Sequence, residues 1–329
     1  MVLSHPQDLH ATTVIEALTA RGVPTVLFDL ADLPQRATIS LHHGPDGSRV
    51  RLRRDDLGVV DLTDARSVWW RRPQLVDLAG IGDDTARGFA YGEWHEALNG
   101  LYTLLTCPWL NSVVGDQLAS HKANQLALAP QFGLVVPETL MTSDEDEARE
   151  FAERLGPGNV VYKIFAATHQ VWRETRILRP DDLEQLGRLR WCPTIFQRCV
   201  PGVADIRVTA VGDQLFAMAI DGRDSDDVDF RLRMGKSATS PITVPDHVAS
   251  GLRALMRHFG IVYGGADFRL TPEGEWVFLE INPAGEFLFV EYGAGHPITD
   301  AVAGWLADPV AQPIRTTSTS TTGTAARTG

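Results

Sequence analysis

The segment VFLEINPAGEF, Val277 to Phe287, sets the tightest limit on what this chain can build. Val277, Phe278, Leu279 and Ile281 ask for a buried β-strand, yet Glu280 and Asn282 interrupt them. Side chains alternate across a strand, so Glu280 and Asn282 share one face and leave the other apolar. A carboxylate beside a core is costly unless something pairs with it. Two readings meet the constraint: an amphipathic edge strand with a wet face, or a cation site.

The preceding segment GGADFRL narrows the choice. If PEGE (Pro272 to Glu275) is a tight turn centred on Glu273 and Gly274, Leu270 faces Val277 and Asp267 faces Glu280. A four-residue loop gives the same register and a three-residue loop does not. Two like charges directly opposite each other destabilise a bare sheet. Asn282 lies diagonally adjacent on the same face. Asp, Glu and Asn oxygens converging on one face suit a hard cation such as Mg²⁺, which takes one or two protein carboxylates and leaves positions for water and phosphates. From the hairpin alone, the cation site and the wet face stand even.

Composition limits the setting. The 329 residues suggest two or three domains, and 44% hydrophobic with 22% charged residues is the balance of a globular protein. No apolar run approaches the roughly 20 residues that span a bilayer, and MVLSHPQDLH lacks the form of a signal peptide. Cys107, Cys192 and Cys199 form no C-x-x-C pair and cannot all be bridged, which indicates a reducing cytosol. A net charge of −12 argues against generic binding to nucleic acid or an anionic membrane. Of the 30 basic residues only Lys122, Lys163 and Lys236 are lysine. A lysine ammonium can touch a phosphate as a point charge where a planar guanidinium cannot.

Residues 1–115 read as a small α/β unit: a helix in HATTVIEALTARG stopped by Gly22, a buried strand in VPTVLFDL, a hairpin around GPDGS, a strand in SVWWRRP and a helix from Tyr91 to Leu105. Residues 116–310 form a second unit. It opens with a single helix in DQLASHKANQLALA, then a strand and a helix starting around Ser143 in LVVPETLMTSDEDEAREFAERLG. The strands NVVYKIF, TIFQRCV, DIRVTAVG and QLFAMAID follow, then a polar loop from about Gly222 to Pro241, the helix PDHVASGLRALMRHFG, the GGADFRL/EWVFLEINP hairpin and a helix near Ile298 to Leu306. The Thr- and Ser-rich tail, 311–329, reads as disordered.

Several nucleotide and metal motifs are excluded. MGKS (Met234 to Ser237) resembles the end of a P-loop, but Phe230 stands where that motif needs glycine. No G-x-G-x-x-G follows a strand and no H-E-x-x-H occurs. The acidic run DGRDSDDVD lacks the spacing of a calcium loop. Lysines, a diacid with an asparagine, and several arginines remain.

In that order, Lys122, Lys163, FQRCVPGVADIRV, GGADFRL and FLEINPAG resemble the ATP-grasp fold, most closely its RimK-like and peptide-maturase branches, over about Asp116 to Leu306. The resemblance implies an α/β (α+β) chain with two antiparallel sheets clamping ATP, preceded by a small α/β pre-ATP-grasp domain. It implies Lys122 and Lys163 on the α- and β-phosphates, and the hinge Gln197, Arg198, Cys199 and Val200 on the adenine. Asp267, Glu280 and Asn282 would hold Mg²⁺, with Arg207, Arg231 and Lys236 as the catalytic cations. In this family a carboxylate takes the γ-phosphoryl group of ATP to form an acyl phosphate, and a nucleophile then displaces phosphate. Such catalysis is mostly positioning and electrostatics.

SVWWRRP, WLN (Trp109 to Asn111) and VPETLMTSD further resemble the microviridin-type maturases of graspetides, VWWRRP being especially near the TgmB-like group. That resemblance implies ω-ester or ω-amide crosslinks between Asp or Glu and Ser, Thr or Lys side chains of a ribosomal precursor peptide, and a homodimer. It makes Arg71, Arg72, Asp229, Arg231 and Arg233 the peptide contacts, Asp229–Phe230–Arg231 being similar to the Asp-Trp-Arg of such enzymes. Phe230 for tryptophan, and Arg198 where many relatives carry glutamate, are departures from the pattern. The alternatives are a RimK-like ligase adding a free amino acid or amine, and a non-catalytic nucleotide-binding module.

Each assignment has a plainer competitor. Trp69 and Trp70, on opposite faces of one strand, favour packing. From charge alone Arg71 and Arg72 are salt-bridge partners, and Arg207 competes as a partner of Asp205 or another strand neighbour. Lys163, mid-strand among Val160, Val161, Tyr162 and Ile164, favours function, because an unpaired buried lysine is costly.

Overall fold

A computed structural model describes residues 1–165, 174–222, 229–233, 235 and 237–309, with the side chains of Phe230 and Arg233 left out. His169, Met234, Lys236, residues 223–228 of the acidic run and the tail 311–329 lie outside the described residues.

The N-terminal unit is built on a parallel sheet in the order Leu27–Phe28, Val2–Leu3, Val68–Trp70, Trp109–Leu110. Helix Leu9–Ala20 starts where the Asp8 carboxylate accepts from the amide of His10. The GPDGS hairpin joins Ala37–Gly44 to Gly47–Arg54, Gly44 pairing with Gly47 across a two-residue turn. VPTVLFDL contributes only the short strand Leu27–Phe28. The helix expected from Tyr91 runs Asp84–Leu104, since Asp83 caps it earlier by accepting from Ala86 N.

The expected single helix of DQLASHKANQLALA is two, Val113–Ser120 and Lys122–Leu128, parted by the extended His121. Gln125 holds the break: its Nε2 donates to Ala119 O at 2.5 Å and to Ile281 O at 2.8 Å. Lys122 thereby becomes the first residue of a helix and faces the second sheet.

That sheet has five strands, in the order Thr239–Pro241, Gln214–Asp221, Ala204–Val211, Tyr263–Leu270, Trp276–Asn282. Along Ala204–Val211 the even positions Ala204, Ile206, Val208 and Ala210 enter a core roofed by helix Asp246–Phe259. The odd positions Asp205, Arg207 and Thr209 turn the other way, as the strand period requires. A smaller antiparallel sheet, Arg176–Ile177, Val160–Lys163, Thr194–Arg198, Thr139–Thr142, stands apart from it with its own core around Phe151 and Phe196. Strands Arg176–Ile177 and Thr239–Pro241, the 3₁₀ segment Pro180–Trp191 and helix Leu288–Ala294 go beyond what the sequence patterns suggested. The fold class is the expected one, with two antiparallel sheets and an α/β unit before them.

The central hairpin differs instructively from its expected register. Asp267 does face Glu280, but Leu270 faces Trp276 rather than Val277. The turn is the three-residue loop Pro272–Glu273–Gly274, closed by Thr271 N to Glu275 O at 3.0 Å, with Gly274 at φ +86°. A bulge between Asp267 and Phe268 on one strand, with Leu279 the extra residue opposite, restores the pairing. The bulge also switches parity: Trp276 and Phe278 enter the core before it and Ile281 after it. Glu280 is turned out of that core as a result.

Candidate active site

Asp267 and Glu280 pair across neighbouring strands on the face that looks toward the smaller sheet. Each carries its own cation. Lys122 Nζ donates to Glu280 Oε2. Arg207, which sits opposite Asp267 in the strand pairing, donates from Nη1 to both Asp267 oxygens at 2.9 and 3.0 Å. Burial would raise the Glu280 carboxyl, but Lys122 and Lys163 together hold it down to about 2. Burial, with Glu280 beside it, keeps Asp267 above the usual carboxylate range despite Arg207. One member of the diacid is thus firmly ionised and the other is poised higher, the pattern like charges impose on each other.

Room for Arg207 comes from two glycines. A Cβ on Gly265 would lie 2.4 Å from Arg207 Nη2, and one on Gly285 would lie 2.7 Å from it. The guanidinium also reaches Glu286 O at 3.2 Å and lies 5.7 Å over the Phe289 ring. Of the pairings expected from charge, Asp205 is taken by Arg269 at 2.7 and 2.8 Å, and the strand neighbour that Arg207 pairs with is Asp267.

Lys163 ends its strand in the smaller sheet and donates to Gln197 Oε1 at 3.1 Å; Gln197 Nε2 donates on to Thr139 Oγ1 at 2.8 Å. Burial pulls the Lys163 ammonium below the ordinary lysine value, with Lys122 adding to the effect and Glu280 opposing it. Gln197 is therefore buried and engaged with Lys163, while Arg198 is exposed and bonds Glu138 at 3.0 Å. Cys199 and Val200 continue the chain out of the sheet, the Cys199 amide bonding Asn159 O at 2.7 Å. Asn282 is exposed, and its Oδ1 accepts from Ala284 N at 2.9 Å.

Among the loop residues, Asp229 is buried and takes Arg231 through Nε at 2.8 Å and Nη2 at 2.5 Å. It also accepts from Thr175 N at 3.0 Å, joining the Asp-Phe-Arg segment to the smaller sheet. Glu280 and Asp267 act on the Arg231 charge as well, so the structure brings this segment within electrostatic reach of the diacid. The side chains of Arg233 and Lys236 lie outside the described residues.

Arg71, a peptide contact by resemblance and a salt-bridge partner by charge alone, is 1% exposed. Its Nε meets Asp8 at 3.0 Å and its Nη1 meets the carbonyls of Ala284 and Gly285 at 2.5 and 2.9 Å. A side chain so enclosed has no surface to offer a substrate. Arg72 remains half-exposed and pairs with Glu286 at 3.1 Å. Trp69 packs against Tyr263 and Trp70 against Tyr102, as alternation predicted. Asn111, within WLN, bonds Val262, Tyr263 and Pro283, a structural role that no local pattern signals.

Two antiparallel sheets with a cation-paired diacid on one and a half-buried lysine on the other define an ATP-grasp ligase. A model of the MvdD pre-ATP grasp domain matches residues 1–117. The macrocyclase MdnB of Microcystis aeruginosa MRC is 30% identical, with a TM-score of 0.78 over 93% of this chain and 98% of that one. MdnC of the same organism, a macrocyclase solved with precursor peptide MdnA, is 28% identical, with a TM-score of 0.84 over 93% and 98%. The ATP-grasp ligase PsnB, solved with minimal precursor, Mg and ADP, is 27% identical, with a TM-score of 0.77 over 93% and 95%. A curated relative, a probable alpha-L-glutamate ligase of Pseudoalteromonas translucida, is 26% identical over 204 residues, which is 60% of this chain and 66% of that protein. The chain belongs to the family of ATP-grasp macrocyclases that includes MdnB and MdnC. Among the described residues no helix is long and apolar enough to cross a membrane.

Proposed function

We propose that this chain crosslinks a ribosomal precursor peptide, joining Asp or Glu side chains to Ser, Thr or Lys side chains at the expense of ATP. The observation that carries this reading is the Asp267–Glu280 pair, facing a half-buried Lys163 that has no carboxylate within hydrogen-bonding distance among the described residues. The donor set fits the cofactor. Two carboxylates and the Asn282 amide are hard oxygen donors, too few to cage a cation alone, so phosphate and water oxygens complete the shell of Mg²⁺. Asp267, Glu280 and Asn282 would hold Mg²⁺, and Lys122 and Lys163 the α- and β-phosphates. Gln197 to Val200 would border the adenine. Bound there, Mg²⁺ supplies positive charge against the phosphates and aligns them.

Arg207 and Arg231 oppose the negative charge that builds as a peptide carboxylate takes the γ-phosphoryl group, with Lys236 and Arg233 contributing from the same loop. The acyl phosphate is then attacked by a hydroxyl or amine of the peptide, releasing phosphate and forming an ester or amide. Asp229 holds Arg231 in place, and Arg72 is the member of the Arg-Arg pair left to meet the peptide. We take residues 1–115 as the pre-ATP-grasp unit and 116–310 as the catalytic unit. The three cysteines, all free thiols, suit a cytosolic enzyme; a homodimer rests on the resemblance alone, and light scattering would measure it.

The test incubates the protein with ATP, Mg²⁺ and the acidic, Thr- or Lys-bearing peptide encoded beside it. Mass spectrometry should show loss of one water per crosslink. Unchanged peptide together with ligation of free glutamate or another amine would transfer the chain to the glutamate-ligase reading. Release of no ADP under either condition would leave a nucleotide-binding module.

A further inference from the structure

The chain leaving Asn282 is gripped in an unusual way. Four consecutive backbone carbonyls each accept a hydrogen bond from a side chain. Pro283 O accepts from Asn111 Nδ2 at 3.0 Å, and Ala284 O from Arg71 Nη1 at 2.5 Å. Gly285 O accepts from Arg71 Nη1 at 2.9 Å and from Tyr263 OH at 2.6 Å, and Glu286 O accepts from Arg207 Nη2 at 3.2 Å. Immediately beyond, Phe287 N donates to His10 Nδ1 at 3.4 Å. Irregular backbone is normally satisfied by water or by its own strand. Here it is satisfied by side chains, and three of them, Arg71, Asn111 and His10, come from the N-terminal unit.

Arg71 and Asn111 are themselves anchored. Arg71 is paired with Asp8, which also accepts from Ser4 Oγ at 2.8 Å. Asn111 is fully buried; its Oδ1 accepts from Val262 N and Tyr263 N at 2.7 and 2.8 Å, and its Nδ2 also donates to Tyr263 O at 2.9 Å. One asparagine therefore ties the start of the Asp267 strand to the end of the Glu280 strand. Arg71 Nη2 is buried with no partner among the described residues, a cost accepted to seat Nη1.

We infer that Arg71 and Asn111 are positioning residues, through which the N-terminal unit fixes the turn carrying Asn282 and so sets the affinity of the diacid site for a nucleotide-bound divalent cation. Neither touches the reacting atoms. They act on the ligand set through the backbone, as partners behind metal ligands do, and loss of such partners costs on the order of 10- to 100-fold in metal affinity. The inference rests on the reading of Asp267, Glu280 and Asn282 as the cation site.

The test measures binding of ADP to the full chain as Mg²⁺ is titrated, by calorimetry, for the wild type and for the Arg71→Met/Asp8→Asn double variant. The double variant removes both charges together, and asparagine can still cap the helix after position 8. The Mg²⁺ concentration giving half-maximal ADP binding should rise about tenfold or more, while Mg²⁺-free ADP binding stays within about twofold. A purely structural role would lower the melting temperature and leave that Mg²⁺ midpoint where it was, and that result overturns the inference while leaving the ligase reading intact. Wild-type protein that binds ADP with no Mg²⁺ dependence overturns the cation site and the inference together. Should the double variant fail to fold, Arg71→Lys decides by the same criterion. Its ammonium keeps the pairing with Asp8 but cannot span two carbonyls, so an unchanged Mg²⁺ midpoint there also overturns the inference.

Discussion

Arg207 and Asp267 face each other on adjacent antiparallel strands, one guanidinium nitrogen reaching both carboxylate oxygens at 2.9 and 3.0 Å. In the proposed function the pair ties a catalytic cation to a cation ligand, so neither can be altered alone. Arg207→Met should leave Asp267 buried beside Glu280 without its counter-charge and lower kcat by roughly 10²- to 10³-fold, the range for losing one preorganised charge-stabilising donor. Arg207→Lys should recover little, because one ammonium cannot hold Asp267 and Glu286 O together as Nη1 and Nη2 do. Steady-state ADP release measures both, and near-wild-type turnover in Arg207→Met would remove Arg207 from the chemistry.

Gly265→Ala tests the space around that guanidinium. The new methyl would lie 2.4 Å from Nη2 and 2.5 Å from Cζ of Arg207. Overpacking of this kind costs about 1–3 kcal/mol, and here it also pushes Arg207 off Asp267. The melting temperature and turnover should fall together, and the double variant Gly265→Ala/Arg207→Met should regain part of the lost stability.

Glu280→Gln separates charge from shape. Its carboxyl is held down to about 2 by Lys122 and Lys163 against burial, so its contribution to stability is complete above its ordinary value of 4.5 and is lost as pH falls toward 2. The amide should abolish turnover and flatten that acid limb of the stability curve. Surviving activity would contradict the metal assignment.

Asp116 has the opposite sign. Burial raises its carboxyl to about 6, the Trp70 side chain being a partner that only partly offsets it. A raised carboxylate weakens the fold as pH climbs from its ordinary value of 3.8 through about 6. At about 1.4 kcal/mol per pH unit the penalty is about 3 kcal/mol at neutral pH. Asp116→Asn should therefore melt a few degrees higher than wild type at pH 7.5, with the difference vanishing near pH 4. Calorimetric melts across that range decide it.

Most of the fold was legible because its elements carry period-two or helical patterns with clear stops, as in the run Ala204–Val211 or the helix ended by Gly22. The diacid was legible because Glu280 and Asn282 violate such a pattern. What stayed hidden depends on contacts distant in sequence. Nothing local tells that Gln125 would stabilise a helix break at His121, or that Arg71 would be spent on carbonyls 213 and 214 residues away. Family resemblance makes Arg71 a peptide contact and charge alone makes it a salt-bridge partner, and in sequence an arginine beside a tryptophan pair looks the same whether it meets a peptide or the protein's own backbone.

The bulge confines a phase slip to one strand. Without it the three-residue turn would set Asp267 opposite Leu279, and Glu280 would share the core side with Trp276 and Phe278. Deleting Leu279 should therefore keep Asp267 opposite Glu280, with Phe278 and Ile281 still in the core, and leave ADP release in place. A residue inserted between Asp267 and Phe268, opposite Leu279, should instead fill the bulge, turn Asp267 and Glu280 toward the core together and abolish ADP release. The carboxylates stand on a half-step that only one strand takes, so this hairpin tolerates losing a residue where it cannot tolerate gaining one.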